Sequence, residues 1–362
     1  MASHLPPRGI DVVAVDDLPP SEVYPREVTV RLQPDARGSY REAARRLNDS
    51  GAEVVYLQHE FGIFGGAGGS YVLDLVAALD APLVTTLHTV RASPTDSQRE
   101  VMDVLLAASS QVVVMSQTSV DCLERHHGAL GGFVNLVPHG VPDLPLIETE
   151  HAKAHLGLGG QRLLLTFGLL SRDKGIEVVL EALPTVLERH PDLLYIVLGA
   201  THPSILRWEG EAYRQSLEHQ VEQLGIGPHV AFENTFPDMP TLWRYLAAAD
   251  VYVSPHRNPE QEVSGTLVFA LSAGNAVVAT PYPCARELIT QDLGRLFPFD
   301  DPAALASTLI DLLDDPHRTA RMRRAAHERT RAVTWPLLGR RYLELSQRAL
   351  QARSASDRAG GA

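Results

Sequence analysis

An apolar strand, Asp250 to Ser254, enters a polar loop ending in Ser264-Gly265-Thr266, followed by an apolar helix stopped by Gly274 and a new strand at Ala276 to Thr280. A strand feeding a small-residue turn that opens a helix turns free N–H groups and the positive end of the helix dipole toward an anion. The same pattern also describes a plain β-loop-α unit with Ser264 as N-cap. A second such unit lies upstream, where strand 162–167 enters Gly168-Leu-Leu-Ser-Arg-Asp-Lys-Gly175 and a helix follows from Ile176. Arg172 and Lys174 beside that helix start add two cations to its dipole. Two cations suit a diphosphate better than a single carboxylate.

The first half of the chain offers different chemistry. A strand at 53–57 runs into Gln58-His59-Glu60, then into a loop holding Gly62, Gly65, Gly66, Gly68 and Gly69. Glycine runs cost backbone entropy, so something needs the backbone bare and close. His59 and His88 each follow a strand, where an imidazole can hydrogen-bond sugar hydroxyls or move a proton. Glu60 can act as a base or orient His59, and His139 sits in the turn Pro138-His-Gly-Val-Pro142. A satisfied structural role suits each of these histidines as well. The dinucleotide fingerprint fits poorly, because Gly66-Ala-Gly68 lacks the third glycine and the next strand ends Thr85-Thr-Leu-His88 without an acid. HExxH is absent, no Cys/His set has zinc spacing, and the Asp16-Asp17 and Asp314-Asp315 pairs are poorly placed for a metal.

The elements that must position these groups alternate between strand and helix along the whole chain, which indicates parallel, doubly wound sheets. With 362 residues, two domains are expected. The first spans 1–145, begins with a loose tail and carries strands at 10–15 and 27–32; the second spans 146–334. A final helix at 335–351 precedes a tail at 352–362 expected to be disordered. Two such domains place a cleft at the C-terminal edges of their sheets, where loops 58–70, 88–94, 138–142, 168–175, 199–203 and 254–266 all lie. The net charge of −12 argues against a nucleic-acid partner. Arg37, Arg41, Arg45 and Arg46 on one helix could touch an anionic membrane, although a solvated face explains them better. Two distant cysteines, no apolar leader and no membrane-length apolar run point to the cytoplasm.

In order and spacing, residues 53–350 resemble retaining glycosyltransferases of the GT-B fold, family 4 (glycosyl transferases group 1). Gly168 to Gly175 and Ser264 to Thr280 carry the resemblance best. Val137 to Pro142 resembles the family's domain-closing turn, and Trp335 with its helix resembles the helix that returns to the first domain. The resemblance implies an α/β GT-B fold, two Rossmann-like domains facing across a cleft. It implies a nucleotide-sugar or sugar-phosphate donor on the second domain and a carbohydrate or small-molecule hydroxyl acceptor on the first. It implies no metal and no separate cofactor. On this reading Lys174, Arg172 and His88 serve catalysis. Gly168, Gln261, Glu262, Ser264, Gly265, Thr266 and Leu267 hold the donor. His59, Glu60, Gly65, Gly66, Gly68, Gly69 and His139 line the acceptor side.

The chain departs from the family pattern in places. Gln261 and Phe269 stand where the family carries two glutamates, and Leu169 stands where it carries an arginine. The first domain starts as though its usual first strand and glycine loop were missing. A phosphorolytic enzyme using a sugar 1-phosphate and a non-catalytic partner subunit are the alternatives these departures leave open. A homo-oligomer is compatible with the shortened first domain.

Overall fold

The computed structural model describes residues 9–16, 24–128 and 130–360. The N-terminal eight residues, Asp17 and the last two residues lie outside them. The chain divides into two compact units, residues 1–139 with 335–362, and residues 140–334.

The first unit opens with β1 (Val12–Val15) and β2 (Val28–Leu32), which pair in parallel as a separate ribbon. After α1 (Arg37–Asp49) come β3 (Val55–His59), α2 (Val72–Val76), β4 (Leu83–Leu87), α3 (Asp96–Ala108), β5 (Ser109–Val114), α4 (Gln117–His127) and β6 (Val134–Leu136). Strands β3-β4-β5-β6 form a parallel sheet in sequence order. Thr95 caps α3 in a full capping box with Gln98, a local signal that fixes where the helix starts. The arginines of α1 are engaged in ion pairs: Arg37 and Arg41 face Asp74, while Arg45 and Arg46 grip Glu42. That face is charge-balanced, as a solvated helix should be.

The second unit contains α5 (Thr149–Leu156), β7 (Arg162–Phe167), α6 (Ile176–Arg189), β8 (Leu193–Leu198), α7 (Pro203–Glu209), α8 (Ala212–Leu224), β9 (Val230–Glu233) and α9 (Met239–Ala248). It continues with β10 (Val251–Ser254), α10 (Gly265–Ser272), β11 (Ala276–Ala279), α11 (Pro283–Leu288), β12 (Gly294–Leu296), α12 (Pro302–Leu313) and α13 (Pro316–Thr330). Its all-parallel sheet has the order β12-β11-β10-β7-β8-β9. Each face carries its own apolar cluster. One is built around Leu164, Val179, Tyr195 and Leu309, the other around Leu165, Tyr252, Leu271 and Tyr282. Near-continuous apolar strands are what a sheet covered on both faces requires. The chain runs outward from β7 to β9 on one side, then returns to β10 on the other. The loops after β7 and β10 therefore diverge at a topological switch point, the place where open α/β sheets bind ligands.

Some elements differ from their sequence-based expectation. The sequence pattern reads as one helix from Glu209 to Leu224, but the stretch holds two, because Pro203 starts α7 ahead of Glu209 and Gly210, at φ +61°, breaks it from α8. Strand β3 lies two residues later than 53–57, so His59 belongs to the strand. The last helix, α14 (Trp335–Gly360), does not stop at 351 but runs through most of the tail expected to be disordered. That tail is rich in alanine and arginine, with no proline and no glycine before Gly360. α14 packs on β4 and β5, and the Tyr56 hydroxyl donates to the Tyr342 carbonyl at 2.6 Å.

Candidate functional site

Lys174 is the centre of the second unit's switch point. It ends a short 3-10 turn, Arg172–Lys174, and Gly175 follows in the left-handed conformation at φ +62° before α6 begins. Only glycine fits there. A Cβ would lie 2.1 Å from the Pro255 carbonyl oxygen, so the two loops touch backbone to backbone. Gly168, at φ +120°, leaves the next opening. A Cβ on it would stand 3.1 Å from Lys174 Nζ and 3.0 Å from Thr266 Cγ2. Gly199, after β8, is pressed equally close to the Gly168 carbonyl. Three stretches distant in sequence thus meet around one ammonium group.

Lys174 is half-buried, and burial lowers its pKa to about 8. Among the described residues its Nζ makes no hydrogen bond and no ion pair. An ammonium ion removed from water without an acidic partner is held at a cost, and an incoming anion would relieve that cost. α6 begins two residues after Lys174, and Thr266 in the first turn of α10 borders the same opening at Gly168, so helix-terminal N–H groups add to the positive potential.

Other predicted donor residues take more local roles. Ser264 is buried and caps α10, accepting from Leu267 N–H at 3.3 Å. Leu267 is therefore not a donor contact: its N–H is used by the cap and its side chain is fully buried. Gly265 and Thr266 hold the first-turn N–H groups, which have no carbonyl four residues back within the helix. The Gln261 amide donates to the Val263 carbonyl at 2.6 Å, and Glu262 is buried. Phe269 packs on the apolar cluster beneath α10. Arg172 departs most from expectation. It points away from Lys174, is 58% exposed, pairs with Glu209 at 2.9 Å and lies over the Tyr213 ring. A 3-10 turn rotates about 120° per residue, so positions two apart cannot share a face.

His256, which sequence reasoning did not single out, is buried beside Lys174. Burial, then the lysine's charge, lower its pKa to about 3. It packs edge-on against Tyr282. Its position two residues past a strand at the switch point was the only available signal.

In the first unit, His59 cannot meet an acceptor. It shares the core face of β3 with Val55 and Leu57 and is 0% exposed. Its ring stacks on Phe64 and meets Phe61 edge-on, and neither nitrogen has a partner among the described residues. Burial and then nearby His88 lower its pKa to about 4. His88 is half-buried with Nε2 2.9 Å from Gln58 Oε1; burial lowers its pKa and Glu60 opposes that shift. Glu60 ties two loops together by accepting from Phe61 N–H (2.9 Å) and the Thr89 hydroxyl (2.6 Å).

The glycine loop has internal reasons for being bare. A Cβ at Gly65 would sit 2.2 Å from the Pro34 carbonyl oxygen, and one at Gly68 would strike the start of α3. Gly66, Gly68 and Gly69 all have positive φ. His139 closes the first unit's N-terminal segment, half-buried. Among the described residues no group of three or more His, Cys, Asp or Glu could hold a metal ion, and no helix is long and apolar enough to cross a membrane.

Comparison with known proteins bears on the same elements. The chain is 28% identical over 278 residues to a phosphatidyl-myo-inositol mannosyltransferase of Mycolicibacterium smegmatis, covering 74% of this chain and 65% of that protein. It is 28% identical over 297 residues to a D-inositol 3-phosphate glycosyltransferase of Streptomyces avermitilis, covering 75% and 61%. The chain thus spans under two thirds of the length of these curated relatives. In fold it is similar to HepE of Anabaena, solved with UDP and glucose (TM-score 0.69, 18% identity, 90% of this chain and 84% of that one). It is also similar to sucrose-phosphate synthase of Thermosynechococcus elongatus (TM-score 0.72, 20% identity, 98% and 89%). These likenesses bear out the GT-B architecture expected from the sequence. The family profile "Glycosyl transferases group 1" matches residues 148–329, half of the chain, and this protein belongs to that family.

Proposed function

We propose that this protein is a glycosyltransferase that moves a sugar from a nucleoside diphosphate donor to a hydroxyl acceptor, with retention at the anomeric carbon. The single observation that carries the donor site is Lys174, an unpaired, half-buried cation at the switch point of the second unit. The departing diphosphate develops charge as the glycosidic bond breaks. Lys174 and the N–H groups of Gly265 and Thr266 offer positive potential for it, with little reorganisation. Arg172, engaged by Glu209, is left out of this step. Gln261 and Glu262 remain the groups assigned to the donor sugar, and His88 to a hydroxyl in the reacting region. The bound UDP of the fold relative supports a nucleotide donor. The inositol compounds in the relatives' names make a polyol the first acceptor class to try.

Titration calorimetry with UDP and GDP tests the reading. Binding is expected for at least one, and Lys174→Ala should weaken it about 10- to 100-fold, the worth of a charge-assisted hydrogen bond. Affinity should also fall as pH rises through about 8, because the lysine then loses the charge that the anion needs. No binding of either diphosphate, with orthophosphate cleaving a glycoside instead, would move the assignment to phosphorolysis. No response to any nucleotide or sugar phosphate would point to a non-catalytic subunit.

A further inference from the structure

Asp300 is the one non-glycine residue with positive φ (51°) among the described residues. It follows β12 and is remote in sequence from the lysine turn. A left-handed aspartate is strained and persists where its surroundings hold it. Its side chain is held by Arg257, whose Nε lies 2.7 Å from Asp300 Oδ1. The same guanidinium reaches Glu177 on α6 at 3.9 Å, and Glu177 accepts from the Tyr213 hydroxyl on α8 at 2.9 Å. The backbone N–H of Arg257 donates to the Asp173 carbonyl at 2.9 Å, one residue before Lys174. Its Cγ covers Gly175, standing 3.0 Å from where a Cβ would be. The Arg257 side chain thus meets the segment after β12, the first turn of α6 and Gly175, while its backbone binds the lysine turn.

We propose that Arg257 is a positioning residue: clamped by Asp300 and Glu177, it holds the Arg172–Gly175 turn so that Lys174 points at Gly168 and Thr266. It does not touch the donor itself. Without the clamp the turn keeps its short-range bonds and the single backbone bond from Arg257 to Asp173, and a lysine stem is flexible enough to swing its ammonium into water. The charged and titratable neighbours of Lys174 are Arg172 and Asp173 in its own turn, His256 and Arg257 after β10, and Glu177 on α6. The inference rests on the donor-site reading only for its affinity measurement.

The chain has two lysines, and Lys153 is buried against Glu150 and Asp250. Acetic anhydride labelling read by peptide mass spectrometry therefore reports Lys174 on its own. In the full-length wild type, half-maximal labelling is expected near pH 8. Arg257→Ala should raise that midpoint by about one pH unit or more, toward an ordinary lysine. Asp300→Asn keeps a side chain that tolerates the left-handed backbone and should move the midpoint the same way by less. Arg257→Ala should also weaken UDP binding by about 10-fold in the wild type and by less than about 2-fold in a Lys174→Ala background, the non-additivity of a residue acting through its neighbour. A folded Arg257→Ala protein with the wild-type midpoint, or equal losses in both backgrounds, would overturn the proposal. Should Arg257→Ala fail to fold, the Asp300→Asn midpoint decides alone. Should the wild type bind no diphosphate, the donor reading fails while labelling still decides the clamp.

Discussion

His59 and Lys174 show how one residue's surroundings decide its chemistry. His59 is the last residue of its strand and Lys174 lies in the loop after one, and each can bind or move a proton. The fold puts His59 between two phenylalanines and Lys174 at an opening between glycine and threonine. His59 has a folded-state pKa of about 4, below the value near 6.5 of an unfolded histidine. Between those values the unfolded chain binds more protons, so stability should rise with pH over that window and level off above it. His59→Phe removes the titration without removing the ring. Thermal unfolding from pH 4 to 7 should show a shallower pH dependence in the variant than in wild type. Acceptor kinetics should be unchanged, since a fully buried ring touches no acceptor.

At the scale of elements, the glycine loop and the switch point obey one rule. Glycine marks backbone meeting backbone, but the partner can be the protein's own chain. Gly65 abuts the Pro34 carbonyl, while a Cβ added at Gly62 would meet nothing within 4 Å, and Gly62 has no positive φ. Gly65→Ala should cost about 1–3 kcal/mol as an overpacked contact. Gly62→Ala should stay within about 0.5 kcal/mol of wild type. Urea denaturation of both separates a structural loop from a ligand-shaped one, because a loop kept bare for a ligand would show no such asymmetry. The helix pair α7 and α8 obeys the same grammar, with proline at its start and glycine at its break.

For the whole molecule, the division into units gives the second one a sheet with both faces covered, and the switch point that holds Lys174. The first unit is discontinuous and takes α14 onto β4 and β5. Residues 140–334 expressed alone should therefore fold and bind the nucleoside diphosphate within about 3-fold of the full chain, if the donor site lies within the unit. Calorimetry on that fragment checks it; a folded fragment that fails to bind would show that the site needs the first unit. Removing α14 should instead damage the first unit, which loses the Tyr56–Tyr342 contact and the cover over two strands.

The architecture was already written in the order of residues. Alternating strand and helix periods, glycine stops and proline starts are short-range signals, and they also marked the two loops that meet at the switch point. Lys174, Gly168 and Thr266 were legible because their loops follow strands in the expected order. Whether a neighbouring side chain faces the site was not legible, since it depends on whether the residue still belongs to its strand and on the rotation within one 3-10 turn. That is why Arg172 turned to Glu209, Leu267 into the core and His59 between phenylalanines. Folding in three dimensions joined Arg257 to Asp300, two residues 43 apart in sequence. No local pattern encodes such a pairing; it exists only because the sheet order brings the exits of β10 and β12 to the same edge.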